Sequence, residues 1–171
     1  MQGDIGIYGL RVMGENLARN MVSKGYTVSI MNRTTQVISD FMEEKGKGLN
    51  FIPTYTIEEF VNSLKKPRKI MLMIKAGTTV DATIESILPF LEKEDIIIDG
   101  GNSNYEDTER RVRELNEKGI YFVGSGVSGG ELGALYGPSL MPGGAKEAWN
   151  EIKDIFTAIS AKAGKNGDEA C

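Results

Sequence analysis

Apolar positions along this chain switch repeatedly between a strand period and a helical period. Ile5, Ile7 and Tyr8 form a short apolar run that breaks at Gly9, and the pattern resumes at helical spacing through Leu17, Met21 and Val22. Gly25 suits the left-handed position after a helix end, and a second strand pattern runs from Tyr26 to Met31. Strand, glycine turn, helix and strand within about 30 residues is a βαβ unit.

The alternation continues along the chain. A helix is expected over 36–44, with Val37, Ile38, Phe41 and Met42 on one face and Gly46 and Gly48 as its end. Phe51 and Ile52 make a short strand before Pro53. Thr56 with Glu59 three residues on reads as a capping box for a helix reaching about Leu64. After the basic surface turn Lys65 to Arg68, the continuous apolar run Lys69 to Ile74 fits a strand buried on both faces of a parallel sheet. A helix over 79–91, a buried strand over 95–98, a charge-rich helix over 104–118 stopped by Gly119, and a strand over 120–123 follow. The glycine-dense stretch GSGVSGGELGALYGPSLMPGG comes next, ending before a last helix expected over 146–158.

Strands alternating with helices at this spacing predict an α/β fold: a Rossmann-type, doubly wound, mostly parallel sheet with helices on both faces and right-handed crossovers. Ligands of such sheets bind outside the carboxyl ends of the strands. Gly9, Asn32, Lys75 and Asn102 all fall just past a predicted strand end.

Composition narrows the chemistry. The 171 residues suit one domain, and 21 glycines match many tight turns. A net charge of -4 argues against general nucleic-acid or anionic-membrane binding. The single cysteine is the terminal Cys171, which excludes an intrachain disulfide and a cysteine-rich metal site. Histidine is absent, so histidine triads, histidine metal sites and a histidine base are excluded. No metal is expected. No signal-peptide pattern precedes the first strand and no apolar run approaches membrane-spanning length, so the expected location is cytoplasmic.

The turn after the first strand carries the candidate chemistry. A G-x-G-x-x-G fingerprint would put glycines at 9, 11 and 14; Gly9 and Gly14 are present and Arg11 takes the middle place. Backbone amides at a helix N-terminus, aided by its dipole, hold a pyrophosphate without a basic side chain. Arg11 could swing out to pair with a phosphate or fill the cofactor's place, and the two glycines could equally shape a tight turn. The second strand ends Met31-Asn32-Arg33-Thr34 without the acid that takes a ribose 2′-hydroxyl in NAD-specific sheets. Arg33 attracts a 2′-phosphate and can stack on adenine. NADP is therefore expected over NAD, against the plainer reading of a polar turn with an exposed arginine.

Together, GLRVMGENLARN, NRT, KKPRKIMLMIKAG, DIIIDGGNSNY and GVSGGELGALYGPSLMPGG make the chain resemble the N-terminal half of the 6-phosphogluconate dehydrogenase family, within the wider β-hydroxyacid dehydrogenases. The resemblance covers essentially the whole chain, so 1–171 would be an NADP-binding domain. It implies that Gly9, Leu10, Arg11, Val12, Met13 and Gly14 hold the pyrophosphate, with Met13 near the nicotinamide. It implies that Asn32, Arg33 and Thr34 hold the 2′-phosphate end and that Ile74, Lys75 and Ala76 line the groove. Asn102 would meet both cofactor and sugar acid, and Ser128, Gly129 and Gly130 would bind the substrate's carboxylate end. The family commonly has Ala at the place of Arg11 and Glu at that of Leu132.

The reaction so implied is NADP-dependent oxidative decarboxylation of 6-phosphogluconate to ribulose 5-phosphate, in the pentose phosphate pathway. The family's catalytic Lys and Glu lie in an all-α C-terminal half, so no catalytic residue is expected in this chain and the chain alone should be inactive or nearly so. Full-length relatives are homodimers built mainly through that half. Two other readings stand: a non-catalytic NADP-binding or regulatory module, and a remnant whose cofactor site Arg11 has closed.

Overall fold

The structure, a computed structural model, describes residues 1–171. Seven strands make one sheet: β1 (Ile5–Tyr8), β2 (Val28–Met31), β3 (Phe51–Pro53), β4 (Lys69–Leu72), β5 (Ile96–Asp99), β6 (Tyr121–Ser128) and β7 (Ser139–Gly144). Their order is β3-β2-β1-β4-β5-β6-β7, with β1 to β6 parallel and β7 antiparallel to β6. This is the doubly wound α/β arrangement expected from the alternation, and its strand order reverses between β1 and β4.

The helices are α1 (Val12–Ser23), α2 (Thr35–Phe41), α3 (Ile57–Asn62), α4 (Thr78–Ile87), α5 (Tyr105–Asn116), α6 (Gly130–Tyr136) and α7 (Lys146–Ile159). α1 packs against α6 and α7 on one face of the sheet, and α3, α4 and α5 cover the other. None is long and apolar enough to cross a membrane.

Each strand forms where the sequence places an apolar run. Ile5, Ile7, Val28, Ile30, Ile70, Leu72, Ile97 and Ile98 are fully buried between the helix layers. Each such side chain contributes about 1.5–3 kcal/mol of burial. α3 begins at the expected capping box: the Glu59 amide donates to the Thr56 hydroxyl while the Glu59 carboxylate accepts from the Thr56 amide. Gly25 and Gly119 stand at φ +91° and +77°, as helix-ending glycines should. The helix expected over 36–44 is α2 followed by a single π turn, Met42–Gly46.

Three expectations are corrected. β4 ends at Leu72, and Met73 and Ile74 form the turn beyond it. The helix expected over 79–91 is α4 plus a 3-10 turn, Leu88–Phe90, because Pro89 has no amide to continue the ladder. The strand expected over 120–123 is longer. β6 continues to Ser128, α6 follows, and β7 returns beside β6 with Ser128 opposite Ser139 and Gly124 opposite Gly143. Glycine permits that close return: a Cβ on Gly144 (φ +151°) would lie 2.4 Å from the Phe122 carbonyl oxygen. Beyond α7, β8 (Lys162–Ala163) and β9 (Glu169–Ala170) make a small hairpin.

Candidate functional site

The carboxyl ends of β1, β4 and β5 meet at the point where the strand order reverses. Glycines make the meeting possible. A Cβ on Gly9 (φ +108°) would lie 2.5 Å from the Met73 carbonyl oxygen, and one on Gly14 would lie 1.9 Å from that of Gly9. A Cβ on Gly101 would lie 2.4 Å from the carbonyl oxygen of Ile74. No residue with a side chain fits these places, so the turns after the three strands form one continuous floor.

α1 opens directly onto that floor. Its flanking residue Arg11 has extended backbone and gives no side-chain cap. The amides of Arg11, Val12, Met13 and Gly14 have no hydrogen-bond partner within the protein. Orphan amides at a helix start, with the positive end of its dipole, suit an anion. The Leu10 amide is instead held by Oδ1 of Asn32 at 3.1 Å, and the Asn32 side chain also donates to the Thr34 carbonyl. Asn32 thereby ties the ends of β1 and β2 together.

Arg11 is exposed and makes no ion pair or side-chain hydrogen bond. Arg33 is likewise exposed and without a carboxylate partner. It lies close enough to Tyr8 to oppose the upward push that burial gives that hydroxyl. Lys75 is exposed and free of ion pairs beside the half-buried Ile74 and Ala76.

Asn102 follows β5 in the left-handed conformation, φ +62°, which asparagine tolerates better than most residues. Its neighbours hold it there. Asp99, the buried last residue of β5, accepts from the Gly101 amide at 2.9 Å and from the Ser103 hydroxyl at 2.5 Å.

Ser128, Gly129 and Gly130 do not join the other turns through any hydrogen bond. β5 ends at Asp99 opposite Gly124, and β6 runs on to Ser128. Four further residues carry the Ser-Gly-Gly turn about 13 Å beyond the end of β5, on the same side as the other turns. It sits beside α1, because α6 packs there and the Asn20 side chain donates to the carbonyls of Ala134 and Ile159.

A buried polar cluster behind these turns was missed from sequence. The guanidinium of Arg111 on α5 grips the Asp81 carboxylate of α4 at 2.8 and 3.2 Å and reaches Asp99 at 3.4 Å. The available signal was helical spacing: Arg111 lies four residues before the buried Leu115, on the inward face of α5. Hydrogen bonding from Arg111, reinforced by Arg110, holds the Asp81 carboxyl below its ordinary value of 3.8. A depressed carboxylate adds stability that is fully present above the ordinary value and lost as pH falls through it towards the folded value. Asp81→Asn should therefore lower the urea midpoint at pH 7, and the gap from wild type should close below about pH 4. A gap that stays constant from neutral to strongly acid pH would remove Asp81 from this role.

The comparisons with known proteins agree with the geometry. A family model described as the NAD binding domain of 6-phosphogluconate dehydrogenase matches residues 4–167. The decarboxylating 6-phosphogluconate dehydrogenase of Dictyostelium discoideum is 57% identical over 170 residues, covering 99% of this chain and 34% of its own length. The NADP(+)-dependent, decarboxylating enzyme of Bacillus subtilis (strain 168) is 61% identical over 158 residues, 92% of this chain and 34% of its own. Among solved structures, Plasmodium falciparum 6-phosphogluconate dehydrogenase, studied with NADP+ and with 6-phosphogluconate, superposes with a TM-score of 0.89 at 48% identity. It covers 94% of this chain and 35% of that one. The chain thus spans about a third of the length of the curated relatives it matches. By sequence and by fold, it belongs to the 6-phosphogluconate dehydrogenase family, in the part that forms the NAD-binding domain.

Proposed function

We propose that this chain binds NADP at the turns after β1, β2, β4 and β5, and serves as the coenzyme-binding part of an enzyme that oxidatively decarboxylates 6-phosphogluconate. The observation that carries the reading is the unpartnered row of amides from Arg11 to Gly14 on a floor that only glycine permits. The residues present fit such a group. The cradle is built from backbone donors, the Gly9 and Gly14 positions leave no room for a side chain, and Arg33 is an unpaired cation one strand away.

In this reading Gly9 to Gly14, with Leu10 and Val12, enclose the pyrophosphate, and Met13 borders the nicotinamide. Asn32, Arg33 and Thr34 recognise the 2′-phosphate, where a carboxylate would repel it. Ile74, Lys75 and Ala76 wall the groove. Asn102 stands between cofactor and sugar acid, and Ser128, Gly129 and Gly130 offer a hydroxyl and backbone amides to the substrate. Bound NADP would supply the hydride acceptor. This chain's own residues bind and orient; its histidine-free sequence offers no imidazole base, and Lys75 is assigned to the groove wall. Proton transfer then falls to the remainder of the full-length protein, which in this reading is a cytoplasmic homodimer.

The test is a fluorescence titration with NADPH and NADH. NADPH should bind at least about tenfold more tightly, and Arg33→Ala should remove most of that margin, since a charge-assisted hydrogen bond is worth about 1.5–3 kcal/mol. Arg11→Ala should leave NADPH binding largely intact. Equal affinity for the two nucleotides would overturn the 2′-phosphate assignment. Binding of NADPH only after Arg11→Ala would mean that Arg11 closes the site.

A further inference from the structure

Arg111 is the largest fully buried side chain in the protein, 1% exposed, on a helix whose other arginines reach solvent. A buried ion pair is weak evidence for stability, because desolvation cancels much of the attraction, and well-packed apolar side chains often do as well. What distinguishes Arg111 is where its donors go. Nε and one terminal nitrogen take the Asp81 carboxylate, and that nitrogen also reaches the Gly77 carbonyl at 3.1 Å. The other terminal nitrogen reaches Ser103 Oγ at 3.3 Å and Asp99 at 3.4 Å.

Gly77 closes the turn that carries Lys75 and Ala76, while Asp99 and Ser103 bracket the left-handed Asn102. The same two turns also touch directly at Ile74 and Gly101. One rigid fork therefore fixes the turns after β4 and β5 relative to each other. A sheet of this kind is two mononucleotide-binding halves, and β4 and β5 belong to the half that does not hold the 2′-phosphate end.

We propose that Arg111 is a positioning residue that sets the nicotinamide half of the dinucleotide cleft by locking these two turns together. The inference rests on the dinucleotide-binding reading above. It concerns residues other than Gly9–Gly14 and Asn32–Thr34, which lie on the other half. The protein supplies its own control at the opposite end of the same strands. Arg68 is also buried, but its partners Val61, Glu92 and Asp95 lie towards the amino ends of β4 and β5, away from the cleft.

The experiment compares wild type, Arg111→Lys and Arg68→Lys on this chain, titrating NADPH and adenosine 2′,5′-bisphosphate, with urea unfolding alongside. Lysine keeps the charge and loses the fork. Arg111→Lys should lose about tenfold in NADPH affinity, the equivalent of one charge-assisted hydrogen bond, with bisphosphate affinity unchanged. Arg68→Lys should lower the urea midpoint comparably and leave both affinities alone. Ser103→Ala, which removes one tie without stranding a charge, should give a smaller loss of the same kind and serves if Arg111→Lys does not fold. Wild-type NADPH affinity in Arg111→Lys and Ser103→Ala, or equal losses for both ligands, would overturn the proposal while the cofactor reading stands. Failure of wild type to bind either ligand would overturn both.

Discussion

Gly14→Ala is expected to abolish useful NADPH binding, a loss of about 100-fold or more, or about 2.7 kcal/mol. The methyl group would sit 1.9 Å from the Gly9 carbonyl oxygen, well inside any permitted contact. That obstacle is backbone, so it cannot rotate away as a flexible side chain would. Either the Gly9 turn moves or α1 shifts outward, and both displace the amides of Arg11 to Gly14 from their common focus. Overpacking of this kind also costs about 1–3 kcal/mol of stability, so urea unfolding must accompany the NADPH titration. Gly25→Asn separates the two effects. Gly25 has φ +91° with nothing within 4 Å, so asparagine there strains the backbone without meeting any atom, and should lower stability while leaving NADPH affinity unchanged. Wild-type NADPH affinity in Gly14→Ala would mean that the turn is not the pyrophosphate cradle.

Asp95→Ala is expected to destabilise the fold by about 3–5 kcal/mol, the cost of stranding a buried charge. Asp95 and Arg68 have side chains only 1% and 6% exposed. The carboxylate accepts from Nη1 of Arg68 at 2.8 Å, from the Arg68 amide at 2.7 Å and from the Glu92 amide at 2.8 Å. Alanine leaves two amides without partners between the entries to β4 and β5, and leaves the buried guanidinium only the Val61 carbonyl and a longer contact to the exposed Glu92 carboxylate. A loss of this size is a large fraction of a small domain's total stability, and urea denaturation at pH 7 measures it. Lys66→Ala is the contrast: its ion pair with Glu92 is exposed and should contribute little. A midpoint for Asp95→Ala close to wild type would show that solvent reaches Arg68 readily.

The legible parts of this protein share a property: the residues that decide them lie within a few positions of one another. The capping box at Thr56 and Glu59 spans four residues and appears as expected. Gly25 and Gly119 end their helices because nothing else takes a left-handed turn so easily. The apolar runs at β1, β4 and β5 are strands because a parallel sheet covered on both faces demands them. The turn at Gly9 and Gly14 was legible for the same local reason, and so was the placing of Asn32 and Asn102 beyond strand ends. Sequence did not reveal that the Asn32 side chain binds the Leu10 amide, since that pairing joins two strands 22 residues apart.

The segment after Val123 and the interior of α5 were illegible for opposite reasons. From Gly124 to Gly144 the glycines weaken every local preference, so the segment takes its form from its neighbours. β6 extends and β7 pairs back because the two strands can approach at Gly144, where the Phe122 carbonyl leaves no room for a Cβ. On α5, local preference gave the helix but not the partner of each charge. The segment reads only as a charge-rich helix in which Arg110, Arg111 and Arg113 are not told apart, and the packing of α4 against α5 brings Arg111 to Asp81, 30 residues away.

Sequence by itself therefore determined the α/β alternation, the mostly parallel sheet, the glycine turn and the strand ends past which the candidate site residues fall. Period, capping and turn chemistry act over a handful of residues and need no knowledge of the rest. Tertiary structure alone decided the antiparallel edge at β7, the outward reach of Ser128–Gly130, and the buried fork of Arg111 that ties two turns together. Each of these depends on contacts between distant segments, whose loop-closure cost is met only when the whole sheet assembles.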